Sequence, residues 1–160
     1  MVQPHFYFNF PGTAEAALRF YQSVLGGEFP VIMRMKDMPQ MPGVEKLSAD
    51  EMDKMMHMSL ILPNGSMFMA TDALESMGFK LQPGNSIQVS LGVSSKEEAD
   101  QVYGGLSAGG SAISGMRIEM WGDYFGTFTD KFNVQWMVSF SENPGHGEVF
   151  DRLESAKKPA

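Results

Sequence analysis

A chain of 160 residues has room for one domain, or for two small modules that share a core. A hydrophobic content of 43% with 19% charged residues is ordinary for a globular protein, and a net charge of −7 disfavours nucleic-acid backbones and anionic membrane surfaces as partners. The sequence has no cysteine, which excludes disulfides, thiolate metal sites and cysteine nucleophiles and fits a reducing compartment, so a cytoplasmic location is expected.

The N-terminus, MVQPHFYF, lacks the basic and apolar regions of a signal peptide, and no later segment reads as a membrane span. His5–Phe10 reads as an aromatic strand that the following Pro-Gly ends. Thr13 is placed to cap a helix whose buried stripe is Ala14, Ala17, Leu18, Tyr21, Val24 and Leu25. Gly26 and Gly27 stop it, and Phe29–Lys36 reads as the next strand. A Pro-containing excursion follows, with Ser48 and Glu51 at capping-box spacing. MHMSLIL and MFMAT flank the turn signal PNGS and predict two antiparallel strands.

After the loop LESMGFKLQPGN the pattern begins again. SIQVSLGV alternates as a strand, and Ser95 with Glu98 opens a helix whose stripe is Ala99, Val102, Tyr103 and Leu106. Gly109 and Gly110 close it, and three strand-like segments follow: SAISGMRIEM, YFGTFTD and VQWMVSF. The turn TDKFN joins the last two, with Asn133 where positive φ is wanted. Two copies of strand–helix–strand–strand–strand therefore lie 82 residues apart, aligned on Tyr21 and Tyr103.

Side chains alternate across a strand, so each strand divides into two faces. Phe6, Phe8 and Phe10 oppose His5, Tyr7 and Asn9, and Phe68 and Ala70 oppose Met67, Met69 and Thr71. Ile87, Val89, Leu91 and Val93 oppose Gln88, Ser90 and Gly92. Val134, Trp136, Val138 and Phe140 oppose Gln135, Met137 and Ser139. The first set of each pair suits packing under the helices. The second is too polar for a core and too uncharged for a plain solvent face, as in a pocket for a small molecule.

The duplicated βαβββ pattern, EAALRFYQSVLGGEF and WGDYFGTFTDKFNVQWMV resemble the PhnB-like branch of the glyoxalase/bleomycin-resistance/dioxygenase (vicinal oxygen chelate) superfamily. This branch also carries a demethylubiquinone-methyltransferase label. The resemblance covers roughly residues 3–142, with Lys131 and Asn133 standing where the branch usually has Pro and Gly. It implies an α+β fold, with two βαβββ modules (3–78 and 84–142) forming curved, mostly antiparallel sheets around a cavity, helices outside, and 143–160 as a tail. It also implies a homodimer. Exposed sheet edges and the methionine-rich segments VIMRMKDMPQMPG and DEMDKMMHM point the same way.

The superfamily's metal enzymes use four ligand positions, which fall here on His5, Met69, Gln88 and Met137. Two thioethers replace carboxylate-type ligands, so no divalent metal and no other cofactor is expected, although Cu(I) tolerates methionine. The expected ligand-lining residues are His5, Tyr7, Met67, Met69, Gln88, Ser90, Trp121 and Met137. His57 and His146 read as structural or exposed, and Asp72, Asp123 and Asp130 as groups satisfying backbone N–H donors. The sequence contains neither GxxxxGK[ST] nor a strand-following GxGxxG, which counts against a nucleotide- or adenosylmethionine-dependent enzyme. Three functions fit this pattern: a metal-free small-molecule-binding protein, an enzyme (a metal-dependent lyase, isomerase or dioxygenase, or a metal-free acid–base catalyst using His5), and a structural dimer partner with an incidental pocket.

Overall fold

The computed structural model describes residues 4–142; the expected tail, with His146, lies outside them. The first module runs β1 (Phe6–Phe10), α1 (Ala14–Leu25), β2 (Glu28–Arg34), the short helix α2 (Ala49–Met52), β3 (Met55–Ile61) and β4 (Met67–Asp72). The second runs β5 (Val89–Gly92), α3 (Lys96–Ser107), β6 (Ser111–Ile118), β7 (Tyr124–Thr129) and β8 (Gln135–Phe140). Their sheets have equivalent orders, β1-β4-β3-β2 and β5-β8-β7-β6. In each, the outer first strand is parallel to its neighbour and the remaining pairs are antiparallel. The fold is α+β, and the duplication read in the sequence is a duplication of whole sheets.

Local chemistry explains most of the element boundaries. Ser48 and Glu51 form the reciprocal capping box at α2. At α3 the Ser95 hydroxyl accepts from the Glu98 N–H at 3.1 Å, but the Glu98 carboxylate reaches back one residue further than expected, to the Ser94 N–H at 2.7 Å. Thr13 does not cap α1. Its backbone, at φ −119° and ψ 15°, is outside the extended region, and its side chain makes no cap bond. The cap comes instead from the end of β4, where Asp72 Oδ1 accepts from the Ala14 N–H at 2.8 Å and Oδ2 from the Met55 N–H at 2.8 Å.

Two glycine-type positions are required by geometry. Gly27 has φ +100°, and a Cβ there would lie 2.3 Å from the Ile61 carbonyl oxygen. Asn133 takes φ 67°, as the hairpin turn between β7 and β8 demands. The first strand of each module begins later than expected. His5 precedes β1, and β5 begins at Val89, leaving Ile87 outside it and 80% exposed. Ile87 therefore does not join the apolar face to which alternation assigned it.

The inner faces of both sheets and the buried sides of α1 and α3 form one core. Phe68 of the first sheet and Trp136 of the second have ring centroids 5.8 Å apart, and Tyr21 of α1 lies 5.0 Å from Trp136. The helices approach closely as well: a Cβ on Gly105 would meet Val24 at 2.8 Å. Asp130, almost fully buried, sits at this junction. Its Oδ2 accepts from the Tyr21 hydroxyl at 2.7 Å and the Trp136 indole N–H at 2.9 Å. Its Oδ1 accepts from the N–H groups of Phe132 and Val134 at 2.8 and 2.9 Å.

Trp136 is completely buried, so Trp136→Ala is expected to cost about 3–5 kcal/mol of stability by chemical denaturation, the range for removing a large buried aromatic. Burial and the neighbouring Asp130 carboxylate push the Tyr21 phenol well above its ordinary value. The folded protein therefore holds this proton after the unfolded chain begins to release it, near pH ~10. Stability attributable to Tyr21 should be fully present below that pH and fall above it. A denaturation series in alkali should show this loss, and Tyr21→Phe should flatten it.

Candidate functional site

With the inner faces committed to the core, the opposite faces carry the residues expected at a site. On the first sheet, Tyr7, Met69, Ser59 and Val31 form one row across the four strands. Asn9 pairs with Thr71, and His57 pairs with Met33, next to that row. The side chains of Tyr7 on β1 and His57 on β3 meet over β4, with the Tyr7 hydroxyl 3.3 Å from His57 Nδ1. His57 Nε2 is 3.0 Å from Ser59 Oγ, and Ser59 is buried. Partial burial raises the pKa of the Tyr7 phenol, with the Thr71 hydroxyl opposing, so this group is neutral over the ordinary pH range. The Thr71 hydroxyl donates to the Met56 carbonyl at 2.8 Å.

On the second sheet, the equivalent row is Ser90, Met137, Thr127 and Ser114. The Gln88 side-chain amide donates to Gln135 Oε1 at 3.0 Å, which aligns both amides at one end of the row. Trp121, 58% exposed, packs edge-on against Phe125 with centroids 5.7 Å apart, and Phe125 pairs with Ser139. Hydroxyls, amides, a thioether and an aromatic pair make up most of this surface, and Arg117, opposite Phe125, is neutralised by Glu119 at 2.8 Å. Its chemistry is that of hydrogen bonding to an uncharged molecule.

The eight expected residues thus divide between two faces. Tyr7, Met67 and Met69 lie on the first sheet, where His5 and Met67 also line a depression of about 180 Å³ beside the β3–β4 turn. Ser90 and Met137 are directly paired on the second, with Gln88 and Trp121 at its ends. A cleft of about 300 Å³ lies elsewhere, between the modules on the helix side. Its walls include Val24, Leu62, Leu91, Val93 and Val102, and its carboxylate, Glu98, is already bonded to the Ser94 N–H. The cleft is roomier than the depression beside the β3–β4 turn, but the polar groups able to orient a ligand are on the sheet faces.

Sequence reading missed His57, Ser59 and Thr127 as site residues; it put Thr71 and Gln135 on the pocket-type faces without counting them in the lining. The first two were accessible to it: MHMSLIL alternates as the other strands do, and splitting it puts His57 and Ser59 on the side of Met69.

The four superfamily metal positions offer one imidazole, one amide and two thioethers. No donor in that set is anionic, and the described residues contain no group of three or more His, Asp or Glu side chains able to hold an ion. The set does not fit a hard divalent cation.

A family model described as 3-demethylubiquinone-9 3-methyltransferase matches residues 1–139. The chain belongs to this PhnB-like family. Protein PA1353 from Pseudomonas aeruginosa is 30% identical over 89% of this chain and 100% of its own, with a TM-score of 0.76. A PhnB protein from Bacillus cereus, itself described as a putative 3-demethylubiquinone-9 3-methyltransferase, is 23% identical. It covers 88% of this chain and 100% of its own, with a TM-score of 0.70. A glyoxylase/bleomycin resistance protein/dioxygenase domain from Frankia sp. EAN1pec shares the fold at 14% identity, covering 93% and 98% of the two chains with a TM-score of 0.63. No curated protein sequence matches the chain. The PhnB-like family and the glyoxalase/bleomycin-resistance/dioxygenase fold are thus the frame for its chemistry.

Proposed function

We propose that this PhnB-like protein binds a small, planar, partly apolar molecule without the superfamily's divalent metal. The carrying observation is the make-up of the two outer sheet faces. They pair neutral hydrogen-bonding groups (Ser90, Gln88 and Gln135) with thioethers and rings (Tyr7, Met69, Met137, Trp121). Methionine and aromatic side chains give an adaptable bed for a flat ligand, and the amides and hydroxyls orient it. The donor set gives a divalent ion nothing to offset the cost of its desolvation. The methyltransferase label of the family is not part of this reading, because the sequence lacks the glycine-rich loop that would serve adenosylmethionine.

The cavity in this proposal is completed by a second copy of the chain. Each outer face lies on the side of its sheet away from the shared core, and Tyr7 on one and Trp121 on the other are about half exposed. Phe6, Val31 and Ile32 on the first sheet, and Ile113, Ile118 and Met120 around β6, are exposed as well. A two-fold contact would cover such apolar surface and the sheet edges together. A cytoplasmic location completes the proposal. It is supported by the cysteine-free sequence and by the absence, among the described residues, of a helix long and apolar enough to cross a membrane.

Native mass spectrometry of protein purified without added metal tests both parts. The expected species has twice the 17.7 kDa chain mass and no stoichiometric metal. A single-chain mass would remove the dimer from this account. A stoichiometric divalent ion that disappears in His5→Ala would replace ligand binding with metal chemistry.

A further inference from the structure

His57 is firmly held at one ring nitrogen and loosely satisfied at the other. Nε2 lies 3.0 Å from Ser59 Oγ, and Ser59 is only 4% exposed, so this contact fixes the ring from beneath. Nδ1 lies 3.3 Å from the Tyr7 hydroxyl, at the long end for such a bond. Tyr7 itself is 48% exposed. Tyr7 on β1 and His57 on β3 reach toward each other over the intervening β4, with ring centroids 5.7 Å apart. Met69 is directly opposite both Tyr7 and Ser59, which puts a thioether side chain between them on the same face.

An imidazole anchored on a buried hydroxyl is oriented before any ligand arrives, which is the preorganisation that a recognition group needs. The group now on its other nitrogen is a phenol, 3.3 Å away on a side chain half in solvent. We propose that His57 Nδ1 is the docking point for the phenolic hydroxyl of an aromatic ligand, which takes the position of the Tyr7 hydroxyl. This rests on the small-molecule reading above and narrows it to a class: neutral aromatic molecules carrying a phenol-type O–H. The local chemistry favours that class over its competitors. The row formed by Tyr7, Met69, Ser59 and Val31 has neither a carboxylate to hold an amine nor a lysine or arginine to hold an anion. It has a ring-accepting thioether and one fixed nitrogen. Neither His57 nor Ser59 occupies one of the four metal-ligand positions, so the role is separate from that constellation.

Fluorescence titration of the full-length protein with 2-naphthol and with its O-methyl ether, 2-methoxynaphthalene, tests the assignment. The two probes have the same ring system, but only the first can donate a hydrogen bond. Wild-type protein should favour 2-naphthol by about three- to tenfold, the range that one net hydrogen bond supports. His57→Leu should abolish that preference while leaving the ether's affinity within about twofold. Tyr7→Phe keeps the ring and removes the competing hydroxyl, so it should strengthen 2-naphthol binding and widen the preference. This variant decides the matter even if His57→Leu does not fold. Equal binding of both probes to the wild type, or a preference unchanged by Tyr7→Phe and His57→Leu, overturns the phenol assignment and leaves the pocket standing. Failure of both probes to bind overturns the assignment and the small-molecule reading together.

Discussion

The carboxylate of Asp130 is the constraint on which the arrangement of the two modules depends. A buried carboxylate is costly unless its lone pairs are met by donors. Asp130 is met by four, and they come from three places: the turn that carries it, the indole of Trp136 on β8, and the hydroxyl of Tyr21 on the helix of the other module. The first two bonds shape the β7–β8 hairpin, helped by the left-handed backbone of Asn133. The indole and phenol bonds orient two large rings, which then pack against Phe8 and Phe68 of the first sheet. Asp72 has a related role at the end of β4, where it joins the start of α1 to the start of β3.

This use of the inner faces decides where function can reside. Helices, aromatic rings and the two buried aspartates fill the core side of both sheets, which leaves Tyr7, His57, Ser90 and Met137 to the outer faces. Those faces differ in character. The first offers an aromatic hydroxyl, an imidazole and thioethers; the second offers amides, hydroxyls and a tryptophan edge. A flat molecule between such surfaces would be gripped on one side by polarisable groups and read on the other by hydrogen bonds. In the same arrangement the four superfamily ligand positions, His5, Met69, Gln88 and Met137, carry no anionic donor.

Local features of the fold were legible in the sequence because they are local in cause. The helix stop at Gly26, the Ser48–Glu51 box and the Asn133 turn depend on neighbours a few residues away. The face alternation of β4 and β8 also read correctly, since Phe68, Ala70, Trp136 and Val138 are all buried. What escaped was set by distant partners. Thr13 has the right residue type for a cap, yet the donor is satisfied by an aspartate 58 positions further along the chain. Asp130 was recognisable as a group serving backbone N–H donors, but its bond to Tyr21 joins residues 109 apart. Ile87 fits the alternation of its segment, but β5 needs β8 beside it and its pairing begins only at Val89. His57 was discounted for want of a carboxylate partner, while its actual partners are a phenol and a hydroxyl brought together by sheet register.

The outer faces as a ligand site can be examined directly through the methionines, because they sit on both sides of the sheets. Met69 and Met137 lie on the outer faces, whereas Met55 and Met58 are buried in the core. With the methionine methyl groups isotopically labelled, nuclear magnetic resonance spectra recorded during titration with a panel of planar aromatic molecules separate the two environments. The account predicts saturable shifts of the Met69 and Met137 methyl resonances by the same ligand, with Met55 and Met58 unmoved. Shifts confined to the core methyls, or outer-face resonances that no member of the panel perturbs, would contradict it.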